Sequence, residues 1–232
     1  MAVRNSGSAA LHEAAQGAAD VVKPRLRGVL HQAGFSISLV TGTALIILAE
    51  GARQTVAAAI YAASVTLLFG TSAAYHRGDW SPGRRAVMER LDHSMIFVLI
   101  AGTYTPFALV VLDGTARWTI FSIVWGGAVV GVTARNIVGR RGRWLFPVLY
   151  LALGWVAVGV LPALLAKGGV AVLVLTIVGG AFYTVGAVVY ARKKPDPRPE
   201  WFGFHEVFHA LTLAAFLAHY VAISLALYRA PA

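Results

Sequence analysis

Seven stretches of the sequence contain no Asp, Glu, Lys or Arg, and each is long enough, or nearly so, to cross a membrane. They are residues 30–49, 55–74, 94–112, 118–134, 144–166, 169–191 and 207–228. One helical crossing needs about 20 apolar residues. A helix in a soluble core would carry polar residues at every third or fourth position, where one face meets water, and these stretches do not. The pattern predicts an all-α, polytopic membrane protein, a bundle of seven transmembrane helices.

The composition excludes several classes of protein. The chain is 58% hydrophobic and 13% charged, whereas soluble domains are about a quarter charged. The net charge of +10 does not indicate a nucleic-acid partner, because the basic residues form short clusters between apolar stretches and no continuous patch. The sequence has no cysteine, so any bound metal must be held by His, Asp or Glu.

The domain organisation is simple. Residues 1–22 contain no apolar core of signal-peptide length. We expect them to form a flexible or weakly helical segment in the cytoplasm, and residues 23–232 to form one membrane domain.

The distribution of Lys and Arg predicts the orientation. If the amino-terminal segment and the second, fourth and sixth loops lie on one side, that side holds 16 of the 20 Lys and Arg residues. The other side holds Arg53, Arg117, Lys167 and Arg229. Because cytoplasmic loops are enriched in positive charge, we expect the amino terminus in the cytoplasm, the carboxyl terminus outside, and a location in a bacterial plasma membrane.

The strongest candidate for chemistry is the sequence H-E-V-F-H at His205, Glu206 and His209. Histidines four residues apart share one helical face and can bind the same ion. The string matches the short H-E-x-x-H signature of zinc proteases, in which the glutamate is a general base. In the predicted topology the second crossing ends at His76 at the same depth, so His76 is a candidate third ligand. Three protein ligands with an open fourth position are typical of a catalytic zinc site.

An acidic residue is expected near such an ion, because a buried dication needs a counter-charge. Asp92 is the first candidate and Glu206 the second. We expect Asp92 to accept a hydrogen bond from a water on the metal or from a ligand imidazole, with Ser72 adding a hydroxyl one turn before His76. The alternatives are that Asp92 caps the third helix and that the histidines are ordinary interfacial residues.

Three other histidines are not assigned to the site. His31 and His93 are interpreted as interfacial hydrogen-bonding residues. His219 lies about 20 Å along the helix from His205, so we expect it to bond to a neighbouring helix. Residues 101–106, of sequence AGTYTP, predict a close-packed and kinked part of the third helix.

Four segments together resemble the hemolysin III branch of the progestin and adipoQ receptor family. They are KPRLRGVLH, SAAYHRGDWSP, LDHSMIFVLIAGTYTP and GFHEVFHALTLAAFLAHYVAI, and the likeness extends from Lys23 onward. The resemblance implies seven helices with the amino terminus inside, zinc held by His76, His205 and His209, and support of the bound water by Asp92 and Ser72. It also implies kinship with adiponectin receptors and alkaline ceramidases. Glu206 is not required across the family, which favours Asp92 as the proton acceptor.

Three functions are consistent with these observations. The first is a zinc-dependent hydrolase of a lipid amide or ester, with membrane lipid as its partner and substrate and a role in lipid homeostasis. The second is a non-enzymatic sensor or receptor of the membrane state in which zinc is structural. The third, a pore-forming cytolysin, is disfavoured because the chain shows no secretion signal and is too apolar to insert from water.

Overall fold

The structure, a computed structural model, describes residues 23–139 and 145–229. Within these ranges it is helical, without a β-strand; one isolated bridge joins Arg198 and Phe202. The helices are α1 Val29–Ile47, α2 Gly51–Arg77, α3 Pro82–Pro106, α4 Gly114–Val138, α5 Leu145–Gly154, α6 Gly169–Arg192 and α7 Phe204–Arg229. The predicted all-α class is confirmed. The prediction for residues 1–22 lies outside the described residues.

Two helices continue beyond their regular part in altered geometry. α3 passes into a π-helical turn at Phe107–Val111, directly after Pro106. Proline has no backbone N–H and its ring crowds the preceding turn, so the regular ladder of hydrogen bonds cannot continue there. α5 tightens to a 3-10 helix at Trp155–Val160 and widens to a π-helical turn at Leu164–Gly168, with a single α-helical turn between them. The predicted irregularity at the end of α3 is therefore present.

The described helices include six stretches that are long and apolar enough to cross a membrane. One of them, Leu145–Arg192, has 48 residues, more than twice the length that a bilayer core of about 30 Å requires. Its helical geometry breaks at Gly169, which has φ 83° and ψ 174°. The helices at its two ends, α5 and α6, pack against each other. If this stretch crosses the membrane twice, the total is seven crossings. The number of crossings and the orientation of the termini stay predictions.

The helices pack in chain order, and α7 also contacts α1, so the bundle closes on itself. Small residues allow close approach between neighbours. At Gly102 of α3, an added Cβ would lie 2.0 Å from the hydroxyl oxygen of Ser64 on α2. Residues 101–106 are all buried, which confirms the close packing predicted for them. On the outside, large apolar side chains such as Val40 and Ile137 are 72% and 79% exposed, as expected of a lipid-facing surface.

The segment before α1 is joined to the loop between α6 and α7. The backbone N–H of Arg25 donates to the carbonyl of Glu200 at 3.0 Å, and that of Leu26 donates to Trp201 at 3.2 Å. The Arg25 guanidinium lies 4.3 Å from the centroid of the Trp201 ring. These contacts hold the beginning of the bundle against the loop that leads into α7, on the side where the candidate site lies.

Candidate metal centre

Three imidazoles from two helices converge at one end of the bundle. His76 lies near the end of α2, and His205 and His209 lie in the first turns of α7. One potential ligand atom from each lies within 4.8 Å of the others. The Nε2 atoms of His76 and His205 are 3.1 Å apart. The structure thus brings together the three histidines that the sequence analysis predicted as metal ligands, although His76 is far from the other two in the chain.

Local hydrogen bonds fix the start of α7 and so the positions of its two histidines. A carboxylate oxygen of Asp196 accepts the N–H of Phe204 at 2.8 Å, and Glu206 accepts the N–H of Gly203 at 2.9 Å. The first N–H groups of a helix have no partner within the helix, so acceptors of this kind stabilise its beginning. With the start of α7 defined, His205 and His209 face the same side one turn apart.

Glu206 is engaged elsewhere and does not join the imidazoles. Its Oε1 atom lies 2.5 Å from Nε of Arg27, and the side chain is 1% exposed. The second carboxylate oxygen is used by Gly203. The carboxylate is therefore satisfied by the segment before α1 and by its own helix start, which does not fit the role of a protease-type general base or of a counter-charge to the ion.

Asp92 lies beside His76 and is positioned by Ser72. Its Oδ2 atom is 3.7 Å from Nε2 of His76, and the Ser72 hydroxyl donates a hydrogen bond to its carboxylate. α3 begins at Pro82, well before Asp92, so the alternative that Asp92 caps this helix is wrong. The reason is that the charged turns before the apolar stretch also form helix. The roles expected of Asp92 and Ser72 stay predictions.

His31 is a neighbour of the site that the sequence alone did not identify. Its ring stacks on that of His209, with centroids 3.6 Å apart and planes 11° from parallel. The side chain is 3% exposed, and both ring nitrogens are buried without a partner among the described residues. The only sequence signal was its place in the segment KPRLRGVLH. His31 therefore lies in the wall of the site, against His209.

Gly28, in the same segment, explains how the chain approaches the centre so closely. It has φ 80°, a left-handed conformation that side chains other than glycine rarely adopt. A Cβ atom built on it would lie 2.8 Å from Cβ of His76. A larger residue would displace either this segment or the histidine.

The two other histidines among the described residues, His93 and His219, have local partners. Nδ1 of His93 lies 2.7 Å from the carbonyl of Glu89, one turn earlier on α3. Nε2 of His219 bonds to the carbonyl of Thr176 on α6 at 3.1 Å. The prediction that His219 bonds to a neighbouring helix is confirmed.

The donor set fits a zinc ion. Nδ1 of His209 is buried without a partner among the described residues, and the nitrogens of His76 and His205 face each other. Neutral imidazoles are ligands that zinc accepts readily, although other divalent transition metals share this preference. A group of three histidines also leaves room in the coordination shell for a further ligand.

A large cavity extends from this centre into the bundle. It has a volume of about 730 Å³ and is lined near the site by His76, Asp92 and His205 and, farther in, mainly by apolar side chains. Trp155 and Ile177 also line it, and they are 57% and 50% exposed. These residues belong to the 3-10 segment after α5 and to α6, so these two elements form part of the cavity wall.

Comparisons with known proteins identify the family of this chain. A family model described as "Haemolysin-III related" matches residues 19–220. The "Hemolysin-3 homolog" of Bacillus subtilis (strain 168) is 34% identical over 180 residues, covering 76% of this chain and 84% of the relative. "Hemolysin-3" of Bacillus cereus is 33% identical over 143 residues, covering 62% and 65%. The protein therefore belongs to the haemolysin-III related family of integral membrane proteins.

Proposed function

We propose that this protein is a zinc-dependent hydrolase that cleaves an amide or ester bond of a membrane lipid, with zinc held by His76, His205 and His209. The observation that carries the proposal is a cluster of three imidazoles within 4.8 Å at the end of an apolar cavity. The Bacillus relatives favour a bacterial plasma membrane as the location. A role in membrane lipid homeostasis follows from this chemistry.

The cavity supports a lipid substrate. Its volume of about 730 Å³ falls within the range of roughly 300–1,000 Å³ typical of sites for small molecules. Val158 and Val185 line the cavity and are 52% and 51% exposed. An acyl chain can therefore enter from the bilayer between the α5 segment and α6, and its polar linkage then lies toward the imidazoles.

The chemistry divides between the ion and the protein. Zinc, when bound, supplies Lewis acidity that polarises a carbonyl and makes water acidic. Asp92 accepts the proton of the water that attacks the carbonyl and returns it to the amine or alcohol released when the C–N or C–O bond breaks. The Ser72 hydroxyl keeps the Asp92 carboxylate oriented by donating a hydrogen bond. The apolar walls hold the chain of the lipid and keep bulk water away from the reacting bond.

A second candidate, a sensor or receptor of the membrane state with structural zinc, is favoured by one observation. The histidine group joins the end of α2 to the start of α7, so an ion there would fasten two helices that are distant in sequence. Permeabilisation of membranes, suggested by the names of the two Bacillus relatives, is the least favoured function.

The first experiment is elemental analysis of the detergent-purified protein. We expect about one zinc per chain in the wild type and its loss in His76→Ala. The control is His219→Ala, which removes a buried histidine outside the cluster and should retain zinc. Equal zinc content in the two variants would contradict the assignment of the site.

The second experiment measures lipid turnover with ceramide and ester substrates and compares the wild type with His209→Ala. Turnover by the wild type and its loss in the variant support the hydrolase. Equal turnover in both rejects it. Zinc binding without any turnover favours the sensor, and opening of liposomes by externally added protein favours the cytolysin.

A further inference from the structure

A second pocket lies where the start of α3 meets the end of α4, at the same end of the bundle as the histidines. It has a volume of about 460 Å³, and Arg85, Arg90, Arg135 and Glu89 supply the charged groups of its wall. Three arginines and one glutamate give this wall a formal charge of +2. The pocket adjoins the large cavity, because Arg85, Glu89 and Arg135 line both.

Arg135 is the central feature of this pocket because it is buried and incompletely bonded. The residue is 3% exposed. One guanidinium nitrogen donates to the carbonyl of Gly139 at 2.8 Å, and the other donates to Glu89 at 3.2 Å. The third, Nε, is buried without a hydrogen-bond partner among the described residues. A buried donor left unpaired is costly, so an acceptor in the pocket would stabilise this arrangement.

The beginning of α3 adds to the attraction for an anion. No side chain caps its first turn, and no acidic residue lies in that turn. The unbonded N–H groups and the helix dipole make such an end favourable for negative charge. Pro82, the first residue of α3, lines the pocket, so this end of the helix borders the same space as the three arginines.

We propose that this pocket binds a phosphate ester anion, with Arg85, Arg90 and Arg135 as its ligands. Guanidinium groups match the geometry of phosphate and bind it through paired, charge-assisted hydrogen bonds. The charge of Glu89 is already offset by its ion pair with Arg135. Arg85 and Arg90 are exposed, so their side chains can close over an anion that enters from the membrane surface. This inference does not depend on the proposed hydrolase.

The test compares phosphatidylglycerol with diacylglycerol, which has the same chains but no phosphate. Retention of each lipid by the purified full-length protein is measured by native mass spectrometry. We expect phosphatidylglycerol to be retained more strongly than diacylglycerol, with its affinity reduced about tenfold in Arg85→Gln and in Arg90→Gln, the effect of one charge-assisted hydrogen bond. Arg84→Gln is the matched control, because Arg84 is exposed on the same turn and does not line the pocket.

Titration with inorganic phosphate distinguishes the two sources of the anion. Displacement of phosphatidylglycerol by phosphate, but not by chloride at equal ionic strength, indicates that the phosphate group suffices. Arginine-dependent retention without displacement indicates that a lipid headgroup is required. The proposal is overturned if Arg84→Gln weakens retention as much as the pocket variants do, or if diacylglycerol is retained equally well.

Discussion

Replacing Arg27 by methionine should destabilise this protein more than replacing its partner Glu206 by glutamine. The two side chains form an ion pair, but they differ in access to water: Arg27 is 20% exposed and Glu206 is 1% exposed. Loss of the arginine leaves a buried carboxylate without its counter-charge. Loss of the carboxylate charge leaves an arginine that can turn toward water.

The expected losses of unfolding free energy follow from the difference in burial between Arg27 and Glu206. Breaking a buried ion pair by removing one partner costs about 3–5 kcal/mol. Glu206 keeps its bond from the N–H of Gly203, so we expect about 3 kcal/mol for Arg27→Met, at the lower end of that range. For Glu206→Gln we expect about 1 kcal/mol, since the amide oxygen can still accept from Gly203. The double variant should cost about 2 kcal/mol less than the two single changes together, a coupling typical of residues in direct contact.

The assay is equilibrium unfolding in mixed micelles of dodecyl sulfate and an uncharged detergent, followed by tryptophan fluorescence. A chelator is present throughout, so that a bound metal contributes nothing to any variant. All four proteins, the wild type, both single variants and the double variant, are measured under the same conditions. The coupling energy then isolates the Arg27–Glu206 interaction from the separate effects of each substitution.

Two results would refute the reasoning. If Glu206→Gln costs as much as Arg27→Met, the difference in burial does not determine the energetics of the pair. If the coupling is below about 0.5 kcal/mol, within the scatter of independent sites, then Arg27 and Glu206 do not interact in the folded protein and the position of the segment before α1 is wrong.

Two further substitutions test the site and the cavity. Gly28→Ala should lower the free energy of unfolding by about 2 kcal/mol. It should also weaken zinc binding, because the added Cβ would lie 2.8 Å from Cβ of His76. The control is Gly51→Ala, at a position with a similar φ of 77° but open space around it, which should leave the zinc content unchanged. Gly180 lines the large cavity, and no atom lies within 4 Å of a Cβ added to it. Gly180→Phe should therefore lower lipid turnover at least tenfold while zinc is retained. The control is Gly159→Phe, at an equally open position that does not line the cavity, which should have little effect on turnover. Unchanged turnover in Gly180→Phe would count against the cavity as the substrate site, and unchanged zinc binding in Gly28→Ala would count against the close packing at His76.

The sequence by itself determined the class of fold and the identity of the three histidines. The absence of charged residues over about 20 positions is a local property, and in lipid such a stretch must satisfy its backbone hydrogen bonds as a helix. The spacing of His205 and His209 is likewise local, since four residues make one helical turn. The predicted direction of each crossing then put His76 at their depth, because the second crossing ends on the side of the membrane where the seventh crossing begins.

Only the tertiary structure decided which groups surround the histidines. Arg27 and Glu206 are 179 residues apart in sequence, and nothing in the local pattern of either predicts their pairing. The stacking of His31 on His209 depends in the same way on how α1 packs against α7. α3 extends back to Pro82, and for this reason Asp92 does not cap it. This extension lies outside the apolar stretch, so hydropathy does not predict it.

The cavity and the arginine pocket also come from the tertiary structure alone. Each is a gap between helices, and its size depends on which residues face one another across that gap. Hydropathy identifies residues that avoid water, but it does not distinguish a side chain that faces lipid from one that faces a neighbouring helix, because both surroundings are apolar. Charge patterning predicts a cytoplasmic position for Arg135, as for any basic loop residue. Its burial between Glu89 and Gly139 depends instead on the packing of α3 against α4.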